Sequence, residues 1–94
     1  MISTFKCSDT DSLFNGKRVA RFVNIQVVAL RKLAMLNRAE NLGELRIPPN
    51  NKLEQLKRDR LGQWSIRIND QWRVCFEWPK GSKGPFNVEI VDYH

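Results

Sequence analysis

The chain has 94 residues, a length that suits a single domain with one modest hydrophobic core, so we expect one domain over residues 1–94. Lys and Arg number 16 against 10 Asp and Glu, and the net charge of +6 favours an acidic partner such as nucleic acid over a merely soluble basic surface. No apolar run approaches the roughly 20 residues that cross a bilayer, and no export signal opens the chain, so its cysteines are expected to stay reduced in the cytoplasm.

The N-terminal half of the chain favours helices. Residues 1–6 contain β-formers and predict a short first strand. Ser8, Asp9 and Asp11 are candidate N-cap and first-turn residues of a short helix that ends at Asn15. A longer helix follows, because apolar residues recur three and four positions apart, as on one buried helix stripe. The stripe residues are Phe22, Ile25, Ala29, Leu33 and Leu36.

Three cations of this helical stretch lie off the apolar stripe, namely Arg31, Lys32 and Arg38. They indicate either a solvated helix face, whose charges compensate the helix dipole, or a surface that contacts nucleic acid. Residues 40–46 predict one more helical turn, and residues 48–51 predict an exposed loop because two prolines interrupt the pattern. Residues 52–57 then predict a strand.

The most regular pattern of the chain predicts a β-hairpin between residues 57 and 78. Successive strand residues point to opposite sides, so one face of the hairpin is apolar and the other polar or cationic. The apolar positions are Trp64, Ile66, Ile68, Trp72, Val74 and Phe76. The opposite positions are Ser65, Arg67, Asn69, Arg73, Cys75 and Glu77.

A third alternating run, residues 86–91, predicts a strand that pairs with this hairpin after a Pro- and Gly-rich turn over residues 79–85. Helices first and hairpins afterwards favour an α+β fold, with the helices packed on one face of a mainly antiparallel sheet. Such pairing would bring residues 92–94 beside Arg73. This convergence is the candidate site.

Several kinds of site are not supported by the residue content. One His and two distant Cys do not supply the four N or S ligands of an ordinary structural zinc site. The chain has no glycine-rich phosphate loop of the P-loop or dinucleotide type. No Ser is marked as held in a strained elbow, and Cys75 lies mid-strand without an evident base. We therefore expect neither a metal nor a cofactor.

The remaining polar residues could support metal-free cleavage of RNA. That reaction requires a base for the 2′-hydroxyl, a cation for the charge on phosphorus and an acid for the departing 5′-oxygen. The planar fork of Arg73 suits a phosphate, although a cross-strand pair with Glu77 or Asp70 is the alternative. His94 is the only histidine and, with a pKa near ~6.5 in model peptides, could move protons unless the tail is frayed. The aromatic residues that could stack on bases or pack in the core are Trp64, Trp72 and Trp78.

Two segments of the chain resemble the HigB branch of the RelE-like toxins of bacterial toxin–antitoxin systems. They are LEQLKRDRLGQWSIRINDQWRVCFEW, residues 53–78, and VEIVDYH, residues 88–94. The resemblance extends to the MISTF opening and the KLAML segment. It implies an RNase-like α+β fold, with two or three N-terminal helices on a mainly antiparallel sheet of three to five strands. It also implies a metal-independent, ribosome-dependent endonuclease that cuts mRNA in the decoding site and inhibits translation and growth.

The resemblance also implies which residues carry cleavage. The positions that match the family pattern are Lys57, Arg73, Asp92, Tyr93 and His94. Glu54 stands where some relatives have a histidine, which leaves open whether Glu54 or His94 moves each proton. Further candidate contacts to RNA are Arg58, Trp64 and Arg67.

The mechanism implied by these residues needs no covalent enzyme intermediate. The 2′-hydroxyl of the scissile nucleotide attacks the adjacent phosphate, and Arg73 and Lys57 stabilise the charge that develops there. Tyr93 would position the RNA or stack on a base, and Asp92 would orient His94 or a neighbouring cation.

The resemblance implies the partners as well. They are a cognate HigA-like antitoxin with a helix-turn-helix domain, the decoding site of the 30S ribosomal subunit, and mRNA, while operator DNA is contacted only through the antitoxin. Basic surface on the helices, including Arg31 and Lys32, would contact ribosomal RNA in a salt-sensitive way, and no membrane is involved. Two alternatives stay open. One is a non-catalytic RNA-binding or operon-regulatory module, a degenerate toxin; the other is a DNA-binding protein, which the missing helix-turn-helix spacing disfavours.

Overall fold

The computed structural model describes residues 1–92, which contain two α-helices and a four-stranded antiparallel sheet. The helices are α1, Ser8–Phe14, and α2, Gln26–Arg38, and the 3₁₀ segments are Ala20–Ile25, Leu42–Arg46, Pro49–Asn51 and Arg58–Arg60. The strands are β1, Glu54–Gln55; β2, Gln63–Arg67; β3, Trp72–Glu77; and β4, Phe86–Asp92, and they lie side by side in that order. The predicted α+β class is confirmed. None of the helices in this part of the chain is long and apolar enough to cross a membrane.

The central hairpin forms because its alternating pattern matches the register of β2 and β3. Ile66 pairs with Val74, which pairs in turn with Ile90 of β4, so three buried side chains form one apolar row across the sheet. In the turn, Asn69 Oδ1 accepts hydrogen bonds from the backbone N–H groups of residues 71 and 72, both at 2.8 Å. The predicted hairpin and third strand are therefore confirmed.

The helical stripe packs on the apolar face of this sheet. Every predicted stripe residue, from Phe22 to Leu36, is buried. The stripe joins Leu13 of α1 and the apolar residues of β2, β3 and β4 in one core cluster. Its first part, Ala20–Ile25, is 3₁₀ helix, and the α-helix proper begins at Gln26. With the helices on one side, the other side of the sheet is left to polar residues.

Two predicted strands are shorter than the sequence pattern indicates. Residues 1–6 make a single parallel bridge, between Phe5 and Val88, along the edge of β4. The strand predicted over residues 52–57 is reduced to β1, because Lys52 has a left-handed backbone conformation with φ of 45°. A residue in that conformation cannot extend the strand towards the N-terminus.

Helix α1 is held by a tertiary contact rather than by the predicted side-chain cap. Cys7 occupies the N-cap position, and no side chain caps this end. Asp9 and Asp11 lie in the first turn, where their charge favours the helix dipole. Thr10 Oγ1 accepts a hydrogen bond of 3.0 Å from the Ile90 N–H, which ties α1 to β4.

The helical turn predicted after α2 is present as the 3₁₀ segment Leu42–Arg46. Asn41 Oδ1 accepts a hydrogen bond of 3.1 Å from the Glu44 N–H, and Glu44 Oε2 accepts one of 2.9 Å from the Asn41 N–H. These reciprocal bonds form a capping box. The backbone N–H donors of Asn41 and Glu40 also lower the pKa of Glu44.

Two polar residues that the sequence places at the surface are buried. Lys32 is 5% exposed and Asn51 is 0% exposed. Lys32 Nζ donates a hydrogen bond to Asn51 Oδ1, while Asn51 Nδ2 donates to the carbonyl oxygens of Leu45 and Ile47 at 3.0 and 3.4 Å. The predictions of a solvated Lys32 and a fully exposed loop are therefore wrong. Both side chains can be buried because the Asn51 amide accepts a hydrogen bond from the ammonium and donates hydrogen bonds to two backbone carbonyls.

Candidate functional site

The polar face of the sheet, on the side away from the helices, brings several predicted site residues together, and we call it the outer face. Residues paired across strands point to the same side of a sheet. One cross-strand row comprises Glu54, Ser65, Cys75 and Glu89, and the next comprises Arg67, Arg73 and Val91. The outer face therefore carries three of the predicted candidates, Glu54, Arg67 and Arg73.

Arg73 lies on β3, next to the hairpin turn, and its guanidinium contacts Ser65, Lys52 and Glu54. Its Nε donates to Ser65 Oγ and its Nη2 to the carbonyl oxygen of Lys52, both at 2.7 Å. The same Nη2 lies 3.6 Å from Glu54 Oε2, and the Arg73 side chain is 11% exposed. These contacts fix the plane of the guanidinium. Because a guanidinium has five N–H donors in a rigid fork, donors beyond these bonds can face a phosphate oxygen.

The partners predicted as alternatives for Arg73 bind other residues. Asp70 accepts a hydrogen bond from Arg67 Nη2, which lowers the pKa of the Asp70 carboxyl, and Glu77 Oε2 accepts a hydrogen bond of 3.1 Å from Asn87 Nδ2. Arg67 lies directly opposite Arg73 in the register of β2 and β3. Like charges opposed across strands are unfavourable, and an anion bound between them would relieve the repulsion.

Glu54 connects Arg73 to a surface depression at the edge of the sheet. This depression has a volume of about 480 Å³ and is lined by Glu54, Gln55, Leu56, Lys57 and Arg58. Lys57 and Arg58 are exposed on its rim. The Glu54 side chain is 53% exposed, so its carboxylate faces both Arg73 and solvent. A negative and two positive side chains thus lie along one edge, next to the fixed guanidinium.

The far end of the outer face is covered by Arg60. Its Nη1 donates to Gln63 Oε1 at 3.1 Å and to Glu89 Oε1 at 2.9 Å. Cys75, which pairs with Glu89 in the same row of the outer face, is buried, and burial raises the pKa of its thiol to about 11. Cys75 is therefore protonated near neutral pH, which disfavours a nucleophilic role.

Two of the remaining predicted residues do not join the outer face within residues 1–92. Trp64 pairs with Phe76 and packs against the core on the helix side of the sheet, so it is not placed to stack on a base beside Arg73. Asp92 lies opposite Trp72, on the face turned away from Arg73, and accepts a hydrogen bond of 3.0 Å from Gln71 Nε2. The predicted convergence beside Arg73 is therefore wrong for the Asp92 side chain, because Val91 rather than Asp92 lies opposite Arg73. Tyr93 and His94 lie outside the described residues.

The structure adds positioning groups that sequence reasoning missed. Ser65 has the same strand parity as Arg67, so alternation placed it on the outer face without indicating that it would bind Arg73. The Lys52 carbonyl had no sequence signal, because its direction depends on the left-handed conformation of that residue. Across residues 1–92, no three side chains of His, Cys, Asp or Glu are grouped as metal ligands would be.

Comparison with known proteins adds family evidence to this geometry. A family model described as the RelE-like toxin of the type II toxin–antitoxin system HigB matches residues 12–94. The protein named Endoribonuclease HigB from Proteus vulgaris is 36% identical over 96 residues, covering 100% of both chains. Toxin HigB-1 from Vibrio cholerae is 41% identical over 58 residues, which are 62% of this chain and 61% of that protein. A solved structure titled YoeB/ParE toxin from Agrobacterium tumefaciens aligns over 99% of this chain and 97% of its own, with 21% identity and a TM-score of 0.46.

The family model covers most of the chain and includes the whole outer face. The full-length match to the Proteus protein adds the N-terminal residues that the family model leaves out. On both grounds, this chain belongs to the HigB-like family of RelE-like toxins of type II toxin–antitoxin systems.

Proposed function

We propose that this chain is an endoribonuclease that cuts mRNA on the ribosome, by attack of a 2′-hydroxyl on the adjacent phosphate. The observation that carries the proposal is the fixed guanidinium of Arg73, held by Ser65 Oγ and the Lys52 carbonyl beside a carboxylate. A preorganised cation of this kind stabilises charge on a phosphorane-like transition state without reorganising during the reaction. The relative from Proteus vulgaris that spans the whole chain is named an endoribonuclease, which supports the reaction class.

The proposed reaction follows from what the outer face can do to a phosphodiester. The 2′-oxygen forms a bond to phosphorus while the bond to the 5′-oxygen breaks, which leaves a 2′,3′-cyclic phosphate and a 5′-hydroxyl. Arg73 binds a non-bridging oxygen, and Lys57 approaches from the neighbouring edge depression to share the developing charge. Bound phosphate would compete with Glu54 for the guanidinium and leave the carboxylate next to the attacking hydroxyl.

Two protons must move in this scheme, one from the 2′-hydroxyl and one to the 5′-oxygen. We assign the first to Glu54, because its half-exposed carboxylate lies 3.6 Å from Arg73. We assign the second to His94, the only imidazole of the chain, with Tyr93 positioning the RNA. Asp92 is given an orienting role, because it accepts a hydrogen bond from Gln71 and immediately precedes this pair.

We include the ribosome in the proposed function because the site has few groups that could take part in catalysis. A site with one fixed guanidinium and an exposed carboxylate gains most from a substrate that another particle positions, so free RNA should be a poor substrate. Arg58 and Arg67 are proposed to contact phosphates on either side of Arg73. The proposed partners are the 30S decoding site, translated mRNA in the cytoplasm and a HigA-like antitoxin through which operator DNA is reached.

Expression of Arg73 variants in cells tests the proposal. Arg73→Ala and Arg73→Lys should abolish growth inhibition and the new mRNA 5′ ends within translated codons, because loss of one such donor costs about 100- to 1,000-fold in rate. Arg38→Ala, which removes an exposed cation from the end of α2, is the matched control and should remain toxic. Circular dichroism of each variant establishes that the fold is intact.

The same experiment separates this function from a non-catalytic one. Arg73 is almost fully enclosed by protein groups, which also suits an anchor between β1 and β3 in a degenerate toxin. A degenerate toxin would leave growth and mRNA 5′ ends unchanged even when the wild-type chain is expressed. Persisting cleavage in a folded Arg73→Ala variant would instead show that another group stabilises the phosphate.

A further inference from the structure

A second basic depression lies between α2, the loop that follows the 3₁₀ segment Leu42–Arg46 and the end of β2. Its volume is about 320 Å³, and three of its lining residues are cations, namely Arg31, Lys32 and Arg67. Val28, Met35 and Ile68 supply apolar walls. Apolar walls lower the local dielectric and strengthen the interaction of these cations with any anion that enters.

Lys32 is the unusual member of this group because it is buried without a carboxylate. Its Nζ donates to the neutral amide oxygen of Asn51, and within residues 1–92 no acidic oxygen lies within 4.0 Å of it. Burial, together with the charges of Arg31 and Arg67, lowers the pKa of its ammonium. An ammonium has three N–H donors, so one amide oxygen leaves further donors for a ligand at this wall.

The charge balance of the depression favours an anion. Arg31 is exposed at the rim, and Arg67 is 30% exposed while it binds Asp70 of the hairpin turn. Asp70 is 99% exposed, so this carboxylate lies out in solvent rather than inside the depression. A buried charge such as that of Lys32 is normally paired, yet the lining residues that the structure describes include three cations and no carboxylate.

We propose that this depression binds a phosphate of the RNA backbone, through Lys32 and Arg31, at a position next to the phosphate bound by Arg73. This inference depends on the proposed function, because the ligand assigned to the depression is RNA. Arg67 provides the spatial link, because it is the last residue of β2, where the sheet ends: it lines the depression and is paired with Arg73 across β2 and β3. Phosphates recur along a strand, so adjacent basic sites joined by a shared arginine fit a polynucleotide better than a single carboxylate.

Salt-dependent binding of a short 2′-O-methyl RNA, which cannot be cleaved by 2′-hydroxyl attack, tests this site in the full-length chain. Arg31→Gln removes an exposed cation, so the fold should survive. We expect it to weaken binding severalfold and to reduce the slope of log K against log salt concentration by about 0.7, the value for one phosphate contact on a single strand. Lys32→Met, which keeps the buried volume, should weaken binding roughly tenfold or more.

Arg38→Gln is the matched control, because Arg38 is also exposed and lies two turns further along α2, outside this depression. Equal slopes and affinities for Arg31→Gln and Arg38→Gln would overturn the proposal. A synthetic poly-glutamate peptide serves as the competing ligand. If Arg31→Gln weakens peptide binding but leaves RNA binding unchanged, the depression takes acidic peptides and the assignment to RNA is wrong.

The binding assay and the toxicity assay can fail separately. If Arg31→Gln lowers the salt slope while wild-type expression produces no mRNA cleavage, the phosphate site stands and the nuclease proposal fails. If Arg73→Ala abolishes cleavage while Arg31→Gln binds RNA with the slope of Arg38→Gln, the nuclease proposal stands and this site is absent.

Discussion

Asn51→Ala is expected to be among the most destabilising polar-to-apolar changes in the protein. The side chain of Asn51 is fully buried and bonds Lys32 Nζ, the carbonyl oxygens of Leu45 and Ile47, and Met35 Sδ at 3.0 Å. The substitution leaves a buried ammonium without this acceptor. It also leaves two carbonyls without this donor.

The magnitude follows from these lost partners. A buried group left unsatisfied costs about 1–3 kcal/mol, and removing the partner of a buried charge costs about 3–5 kcal/mol. Because these costs overlap at one site, we expect the free energy of unfolding to fall by about 3–5 kcal/mol. That is a large part of the roughly 5–15 kcal/mol available to a small domain.

Urea unfolding followed by tryptophan fluorescence measures this effect. With a slope of about 1.5 kcal/mol per molar urea, the midpoint should fall by about 2–3 M. Asn50→Ala is the matched control. Asn50 precedes Asn51 in the same loop but is exposed, so this variant should change stability by less than about 0.5 kcal/mol. If the two alanine variants unfold at the same urea concentration, the buried amide does not hold this loop. The double variant Lys32→Met/Asn51→Ala should be more stable than Asn51→Ala alone, because the unpaired ammonium is then absent.

Three further outcomes are expected. Burial first, and two neighbouring arginines second, lower the pKa of Lys32 from 10.5. Between that lowered pKa and 10.5 the unfolded chain binds more protons than the folded one, so stability rises with pH in this window, and Lys32→Met should abolish the rise in urea midpoints. Although burial alone would raise it, the pKa of the Cys7 thiol is lowered, because hydrogen bonds from the first turn of α1 and a nearby arginine outweigh that effect, whereas the pKa of Cys75 is raised to about 11. Mass spectrometry after alkylation at about pH 8 should therefore find Cys7 modified and Cys75 intact. A Cβ at Gly84 would clash with the Met1 carbonyl oxygen. Gly84→Ala should therefore detach the N-terminal segment from β4 and speed amide hydrogen exchange in that segment.

The sequence by itself determined the elements whose signals are local. The two-residue alternation around Trp64 to Phe76 predicted the central hairpin, and the three- and four-residue spacing from Phe22 to Leu36 predicted the stripe that packs on it. Both patterns are read within one element, because side-chain direction follows directly from backbone periodicity. Residues 53–78 and 88–94 were also enough to indicate the toxin family, which the family model over residues 12–94 confirms.

Only the tertiary structure decided which polar groups meet. The sequence offered Glu77 and Asp70 as partners for Arg73, yet the registers of β1, β2 and β3 bring Ser65 and the Lys52 carbonyl instead. Lys32 was expected at the surface, on a face that is either solvated or in contact with nucleic acid, but a loop 19 residues further along the chain buries it through Asn51. Asp92 is one residue beyond the position opposite Arg73, and that single step turns its side chain to the other face of the sheet. Partners such as these depend on register and on contacts between distant segments, which local periodicity does not encode.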